Sequence, residues 1–136
     1  MHEERILNSI LLVDDEPDIL TIADYALTKV GGFKVMTFSD SENAIEQVEE
    51  LMPDMIILDV MMPKMDGIET LARLNNIKAL SHVPVIFMTA RVEENEISRY
   101  LDLGAIGVIH KPFDPMTLSI QVMKLWEQKY SGENSG

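Results

Sequence analysis

The stretch Met55-Ile56-Ile57-Leu58-Asp59-Val60-Met61-Met62-Pro63 decides the fold. Its four leading apolar residues predict a strand that is buried on both faces, as in a parallel sheet. The run stops at Asp59, and Pro63 with the pair Asp66-Gly67 indicates a loop. We therefore expect Asp59 at the carboxyl tip of a central strand. A buried carboxylate is costly unless it is solvated, paired or bound to a metal, so Asp59 is interpreted as a site residue.

Four further segments have the apolar pattern of strands, and helical spacing follows each of the five. The other predicted strands are Ile10–Val13, Phe33–Thr37, Val85–Met88 and Gly107–His110. Residues 33–37 alternate apolar with polar, which predicts an edge strand. A capping box at Ser39–Glu42 is expected to open the second helix, and Gly31-Gly32 to end the first. Five strands alternating with five helices predict an α/β, doubly wound parallel sheet covered on both faces.

For two helices the sequence predicts which residues are buried and where the helix begins or ends. Ile97, Tyr100 and Leu101 are the predicted anchors of the fourth helix, which Gly104 ends. The last helix is expected to begin at Pro115 and to end near Tyr130. Its apolar residues form two stripes. Leu118, Val122 and Leu125 form the first; Met116, Ile120, Met123 and Tyr130 form the second, with Trp126 between them. The second stripe predicts an exposed interface, and one wide buried face is the alternative.

Composition limits the class of protein. The chain has 136 residues, no cysteine and a net charge of −12. This length predicts one domain over residues 9–130, with a lead-in at 1–8 and a flexible tail at 131–136. The absence of cysteine excludes disulfides and thiolate metal sites. The acidic charge argues against direct binding to nucleic acid or a membrane, and with no signal-peptide pattern or apolar span we expect a cytoplasmic location.

Polar residues follow four different predicted strands. They are Asp14-Asp15, Asp59, Thr89 and Lys111. Sites in open α/β sheets form beyond the carboxyl ends of the strands, so we expect these side chains to converge. Three carboxylates with no histidine or cysteine nearby are a ligand set that suits Mg²⁺. Aspartate can accept a phosphoryl group, Lys111 could contact it as a cation, and the Thr89 hydroxyl could donate a hydrogen bond to it.

These motifs resemble the receiver domains of two-component response regulators. The resembling segments are Leu12–Asp15, Asp59–Gly67, Thr89-Ala90, Gly104-Ala105 and Lys111–Phe113, and the resemblance covers residues 9–130. It implies a flavodoxin-like fold with strand order 2-1-3-4-5. It also implies that Asp59 accepts a phosphoryl group from the phosphohistidine of a sensor histidine kinase or a histidine phosphotransfer protein.

The resemblance assigns further roles to single residues. Asp15, Asp59 and the backbone carbonyl of Met61 would ligate Mg²⁺, and Asp14 would act through water. Thr89 and Lys111 would bind phosphoryl oxygens, and the peptide bond before Pro112 would be cis. Arg91 and Met61 occupy positions that tune the lifetime of the phosphoryl group in this family.

The sequence departs from the family at one position. Receiver domains usually have an aromatic residue three positions before the lysine, and here that residue is Val108. In the family the threonine hydroxyl moves toward the phosphate and the aromatic ring turns inward behind it. Because valine has no ring, we expect a smaller shift of the surface formed by the fourth helix, last strand and last helix, where a homodimer or output partner would bind.

Other interpretations of these residues have to be weighed. Asp14-Asp15 and Thr89 could each be helix caps, Lys111 could extend along a sheet edge into solvent, and His110 fits a plain strand residue. A Mg²⁺-dependent phosphohydrolase would need a second acid two residues beyond the nucleophile, where this chain has Met61. A degenerate receiver used as a scaffold is a third class, and the complete set of acids and Lys111 argue against it.

Overall fold

The computed structural model describes residues 5–134, with side chains described as far as Tyr130. Five strands form one sheet: β1 (Ser9–Val13), β2 (Lys34–Phe38), β3 (Met55–Asp59), β4 (Val85–Thr89) and β5 (Gly107–His110). Five helices connect or follow them: α1 (Pro17–Tyr25), α2 (Ser41–Leu51), α3 (Gly67–Asn75), α4 (Glu94–Asp102) and α5 (Leu118–Asn134). The alternation of strands and helices is the one that the sequence pattern predicts.

All strand pairs in the sheet are parallel, and the order is β2-β1-β3-β4-β5. This order confirms the flavodoxin-like fold and the edge position of β2. The direction of the chain across the sheet reverses between β1 and β3, and the register there pairs Val13 with Leu58. The residue after each of these two partners is therefore an aspartate at the same edge of the sheet.

Successive residues of each central strand pack on opposite faces of the sheet, because side chains alternate along a strand. Ile10, Leu12 and Ile57 lie in the core that contains α1 and α5 residues. Leu11, Ile56 and Leu58 lie in the core that contains α2, α3 and α4 residues. The sheet is thus buried on both faces, which explains why β1 and β3 have continuous apolar sequences.

The first helix begins where the sequence predicts, but its last turn is π-helical. Pro17 occupies the first helical position of α1. After Tyr25 the helix widens into one π-turn at Ala26–Val30, closed by the bond from Gly31 N–H to the Ala26 carbonyl at 3.0 Å. Gly32 then takes a φ of +78°, the left-handed conformation expected at this end.

The N-terminus of α2 differs from the predicted capping box. Asp40 is the N-cap, and its Oδ1 accepts the N–H of Asn43 at 2.9 Å. The predicted box placed the cap at Ser39. Aspartate and serine are comparable caps, so composition alone did not distinguish the two neighbouring positions.

Two expectations about α4 and α5 were wrong. Leu101 is 46% exposed, and Tyr100 at 1% is the buried anchor of α4. Trp126, expected between the two stripes of the last helix, is 6% exposed and belongs to the core. The last helix begins at Leu118, after a turn at residues 115–117, and reaches Asn134. The first four residues of the predicted tail are therefore helical, and residues 135–136 lie outside the described part.

Trp126 lies at the edge of the sheet where the strands begin. Its Nε1–H donates to the Arg5 carbonyl at 3.4 Å, and its ring centroid is 4.5 Å from that of Tyr130. It borders a pocket with Asp54 and His82, which precede β3 and β4.

Among the described residues, no helix has the length and apolar character needed to cross a membrane.

Candidate functional site

Three carboxylates converge where β1 and β3 end. Asp14, Asp15 and Asp59 each offer one oxygen, and these oxygens all lie within 4.8 Å of one another. Asp14 is fully buried, Asp59 is 2% exposed and Asp15 is partly exposed. The predicted convergence of the three acids is therefore found in the structure.

The loops after the strands fix two of these side chains. Asp14 Oδ1 accepts the N–H of Glu16 at 2.9 Å, which orients the carboxylate at the start of the β1–α1 loop. Asp59 Oδ1 accepts the N–H of Met61 at 3.2 Å. The Met61 side chain points out of the site and is 56% exposed. Met61 thus contributes its backbone N–H to the site, whereas the role implied by the resemblance, its carbonyl as a Mg²⁺ ligand, stays a prediction.

Lys111 comes from the loop after β5 and brings a cation to the acids. Its Nζ lies 2.8 Å from Asp14 Oδ2, 3.3 Å from Asp59 Oδ1 and 3.3 Å from Glu16 Oε1. Its backbone N–H donates to the Thr89 carbonyl at 2.9 Å, and the Lys111–Pro112 peptide is cis. Lys111 is 9% exposed, so it does not extend along a sheet edge into solvent.

The favourable contacts of Asp59 do not offset the cost of ionising its buried carboxylate. Burial raises the pKa of Asp59 from 3.8 to about 7, and the negative charge of Asp14 adds to this, while Lys111 and the Met61 N–H oppose it. Burial alone would lower the pKa of Lys111, but the contacts with Asp14 and then with Asp59 outweigh burial and raise it. Lys111 therefore stays charged, and Asp59 is the group whose ionisation is disfavoured.

Three carboxylate oxygens in the cluster are buried without a hydrogen-bond partner among the described residues: Asp14 Oδ2, Asp15 Oδ1 and Asp59 Oδ2. Asp14 Oδ2 has an ion-pair partner, Lys111 Nζ at 2.8 Å. Buried polar atoms in proteins are normally satisfied, so Asp15 Oδ1 and Asp59 Oδ2 point to a missing partner. A hard cation with oxygen ligands fits the acidic donor set, and Mg²⁺ is the ion that such a set suits.

Thr89 lies at the tip of β4 and is 1% exposed. Its Oγ1 accepts the N–H of Arg91 at 3.0 Å. The N-cap of α4 is Glu93, so Thr89 is not a helix cap. Asp14 is not one either, because Glu16 holds the N-cap position of α1. His110 is an exposed strand residue.

Gly67 touches the site, although the sequence indicated it only as part of a loop and as the last residue of the resembling segment Asp59–Gly67. A Cβ on Gly67 would collide with the Asp59 carbonyl oxygen and would lie 2.9 Å from Val60 Cα. The Gly67 N–H also donates to the Val60 carbonyl at 2.9 Å. The start of α3 therefore presses against the backbone of Asp59. The Asp-Gly pair was visible in the sequence, but only the structure shows that close approach, and not a turn, requires the glycine.

The fold agrees with comparisons to known proteins. Residues 10–123 match the family model described as response regulator receiver domain. The chain is 42% identical over 113 residues to the alkaline phosphatase synthesis transcriptional regulatory protein PhoP of Bacillus subtilis (strain 168), covering 83% of this chain and 46% of that protein. It is 33% identical over 135 residues to the transcriptional regulatory protein CpxR of Escherichia coli (strain K12), covering 96% of this chain and 56% of that protein.

Solved structures give the same result. The chemotaxis response regulator CheY4 of Vibrio cholerae matches with a TM-score of 0.81 at 27% identity, covering 88% of this chain and 99% of that chain. The chain spans about half the length of the curated relatives named above. On these matches, the chain belongs to the response regulator receiver domain family of two-component systems.

Proposed function

We propose that Asp59 accepts a phosphoryl group from the phosphohistidine of a sensor histidine kinase or a histidine phosphotransfer protein. The observation that supports this most is Asp59 itself. It is buried at a strand tip, its Oδ1 is held by Lys111 and the Met61 N–H, and its Oδ2 has no partner among the described residues. Aspartate can act as a covalent nucleophile in phosphoryl transfer, and the contacts of Oδ1 fix this carboxylate at the strand tip.

In the transfer, an Asp59 oxygen forms a bond to phosphorus and the phosphorus–nitrogen bond of the donor breaks. The electron pair of that bond leaves with the imidazole, which recovers a proton from solvent. Lys111 lies close enough to Asp59 to shift its ammonium toward a phosphoryl oxygen. Thr89 carries a hydroxyl on the adjacent strand, whose proton is available to a second oxygen.

Mg²⁺ is the proposed cofactor. Asp15, Asp59 and the Met61 backbone carbonyl would hold it, and Asp14 would act through water. When bound, Mg²⁺ supplies positive charge that neutralises the carboxylates and the phosphoryl oxygens. The unpaired Asp15 Oδ1 and Asp59 Oδ2 support this assignment.

The proposed role is a signalling switch and not an enzyme with turnover on a separate substrate. We infer that the output is a changed surface on α4, β5 and α5, used for a homodimer or an output partner in the cytoplasm. Leu101 on α4 and Ile120 on α5 are exposed apolar residues in this region. The net charge of −12 supports an output that does not involve direct contact with nucleic acid or membrane.

Incubation with acetyl phosphate and Mg²⁺, followed by intact-mass spectrometry, tests the proposal. Wild type should gain one phosphoryl group and Asp59→Asn should gain none. Asp66→Asn is the matched control, because Asp66 is an exposed carboxylate in the same loop and asparagine preserves its N-cap bond to Glu69 N–H. Equal labelling of wild type and Asp59→Asn would remove Asp59 from the role of acceptor.

A further inference from the structure

Two hydroxyl groups are buried together where α2 and α3 begin. Ser41 is the first residue of α2 and Thr70 lies in the first turn of α3, and their side chains are buried at 3% and 1% exposure. Their hydroxyl oxygens lie 2.6 Å apart, and Thr70 Oγ1 is also 2.7 Å from the Asp66 carbonyl oxygen. The site described above makes no use of this pair.

The two distances determine where the hydroxyl protons lie. Both are short enough to require a proton between the oxygens, each hydroxyl has one proton, and a carbonyl oxygen can only accept. Thr70 therefore donates to the Asp66 carbonyl, and the proton between the two hydroxyls comes from Ser41. The Asp66 carbonyl also accepts the backbone N–H of Thr70 at 3.0 Å. Thr70 thus holds this carbonyl with two donors, and Ser41 in turn holds the Thr70 hydroxyl.

One peptide unit carries this contact toward the end of β3. The unit joins Asp66 to Gly67, and its carbonyl is the one that Thr70 holds. Its N–H belongs to Gly67 and donates to the Val60 carbonyl at 2.9 Å. A Cβ on Gly67 would lie 2.9 Å from Val60 Cα, so the two backbones are in direct contact. The unit is therefore hydrogen-bonded at both ends, which fixes its tilt against the acceptor strand.

A second peptide unit completes the path to the carboxylate. This unit joins Val60 to Met61, and its carbonyl accepts the Gly67 N–H. Its own N–H, that of Met61, donates to Asp59 Oδ1 at 3.2 Å. Four hydrogen bonds therefore run in one direction, from the Ser41 hydroxyl to Asp59. A peptide unit whose carbonyl accepts a hydrogen bond becomes a better donor at its N–H, so each link of such a chain strengthens the next.

We propose that Ser41 and Thr70 are positioning residues for Asp59. The path of four hydrogen bonds fixes the Met61 N–H against the carboxylate that would accept the phosphoryl group. The two hydroxyls bind each other and the Asp66 carbonyl, so they act on Asp59 through the backbone. Because both are buried, water does not readily replace a lost link. This inference rests on the proposed phosphorylation of Asp59.

The test compares two threonine-to-valine variants of the full chain. Thr70→Val keeps the shape of the side chain and removes the hydroxyl. Labelling of Asp59 by acetyl phosphate with saturating Mg²⁺ should therefore slow by about threefold, which is within the range of one hydrogen bond. Thr70→Ser keeps a hydroxyl and should regain most of the rate. Thr28→Val is the matched control, because Thr28 Oγ1 makes the same 2.7 Å bond to the Asp24 carbonyl outside this path, and it should label at the wild-type rate.

A second measurement follows the path without any phosphoryl group. The amide proton of Met61, observed by NMR in isotope-labelled protein, should move upfield in Thr70→Val because its hydrogen bond to Asp59 weakens. It should return toward the wild-type position in Thr70→Ser. Ser41→Ala removes only the first link, so it should move the same proton in the same direction by less. Thr28→Val should leave the Met61 amide unchanged.

The two measurements separate this inference from the proposed function. Failure of wild type to label would overturn the proposed function, and the Met61 amide would still report on the path. A wild-type labelling rate in Thr70→Val, or an unmoved Met61 amide in that variant, would overturn the positioning role. Losses in Thr70→Ser as large as those in Thr70→Val would also overturn it. If Thr70→Val is unfolded, Ser41→Ala replaces it, and a wild-type rate with an unmoved Met61 amide would overturn the role in the same way.

Discussion

Lys111 Nζ lies 3.3 Å from Asp59 Oδ1, yet the pKa of Asp59 is raised to about 7. Burial is the main cause, and the second is Asp14, to which Lys111 makes its shorter contact of 2.8 Å. One ammonium is thus shared between two buried carboxylates, with Glu16 as a third neighbour. Asp59, the proposed phosphoryl acceptor, is the carboxylate whose negative charge the shared Lys111 ammonium neutralises less completely.

The raised pKa of Asp59 predicts how stability depends on pH without divalent cations. Between 3.8 and about 7 the folded state holds a proton that the unfolded state has lost. The free energy of unfolding should therefore fall as pH rises through this window. Asp59→Asn lacks this dependence, so it should be more stable than wild type at pH 8 by a few kcal/mol, and the gap should close toward pH 4.

Urea unfolding in EDTA at several pH values measures this difference. Asp40→Asn is the control for replacing a carboxylate by an amide at an exposed site, because asparagine can keep the N-cap bond. Parallel curves for Asp59→Asn and wild type would show that Asp59 ionises normally in the folded chain.

Mg²⁺ should stabilise the folded chain, because the proposed Mg²⁺ site does not exist in the unfolded state. At a concentration tenfold above its Kd the gain is about 1.4 kcal/mol, which should raise Tm by a few degrees. Asp15→Asn should lose most of this gain, since Asp15 Oδ1 is one of the unpaired buried oxygens. Thermal unfolding with NaCl at equal ionic strength is the reference. The same Tm increase in Asp15→Asn and wild type would exclude Asp15 as a ligand.

Gly67→Ala should disturb the acceptor through its backbone. The added Cβ would meet the Asp59 carbonyl and Val60 Cα, which cannot yield as a flexible side chain would. We expect a loss of about 1–3 kcal/mol in stability and slower labelling of Asp59. Gly32→Ala is a suitable comparison: no atom lies within 4 Å of its Cβ, but its φ of +78° makes alanine strained. It should lose stability and still label at the wild-type rate, and an unchanged rate in Gly67→Ala would refute the positional role.

Activation should increase self-association if the output is a homodimer. Sedimentation with beryllofluoride and Mg²⁺ should show more dimer than without them. The combined variant Leu101→Ser and Ile120→Ser should reduce that increase, because both side chains are exposed apolar groups. Ile22→Ser on α1, at a residue that is 43% exposed, controls for general loss of apolar surface. Full association of the double variant would place the interface elsewhere.

The sequence was sufficient for the architecture because its central strands are buried on both faces. Continuous apolar runs at β1, β3 and β4 have few other interpretations, and the aspartates at the ends of β1 and β3 mark the carboxyl edge. The convergence of Asp14, Asp15, Asp59 and Lys111 followed from topology alone. The predictions of the strands and of the converging site residues use only positions along the chain. They do not depend on how a side chain is oriented, and for this reason they held.

The predictions that failed depend on the rotation of a helix about its axis. In α4 the adjacent residues Tyr100 and Leu101 are both large and apolar, and spacing could not decide which one is buried. In α5 the same ambiguity placed Trp126 near an exposed stripe, whereas its indole donates to Arg5 and packs on Tyr130.

The position of Trp126 determines what optical measurements on this chain can report. It is the only tryptophan of the sequence, and it lies where the strands begin, at the end of the sheet opposite to Asp59. Because it is buried beside Arg5 and Tyr130, its fluorescence should follow global unfolding and be insensitive to events at the carboxyl edge. Trp126 fluorescence is therefore a convenient probe of stability, and phosphorylation should not quench it. Studies of binding at the carboxyl edge need a fluorescent reporter introduced near Thr89.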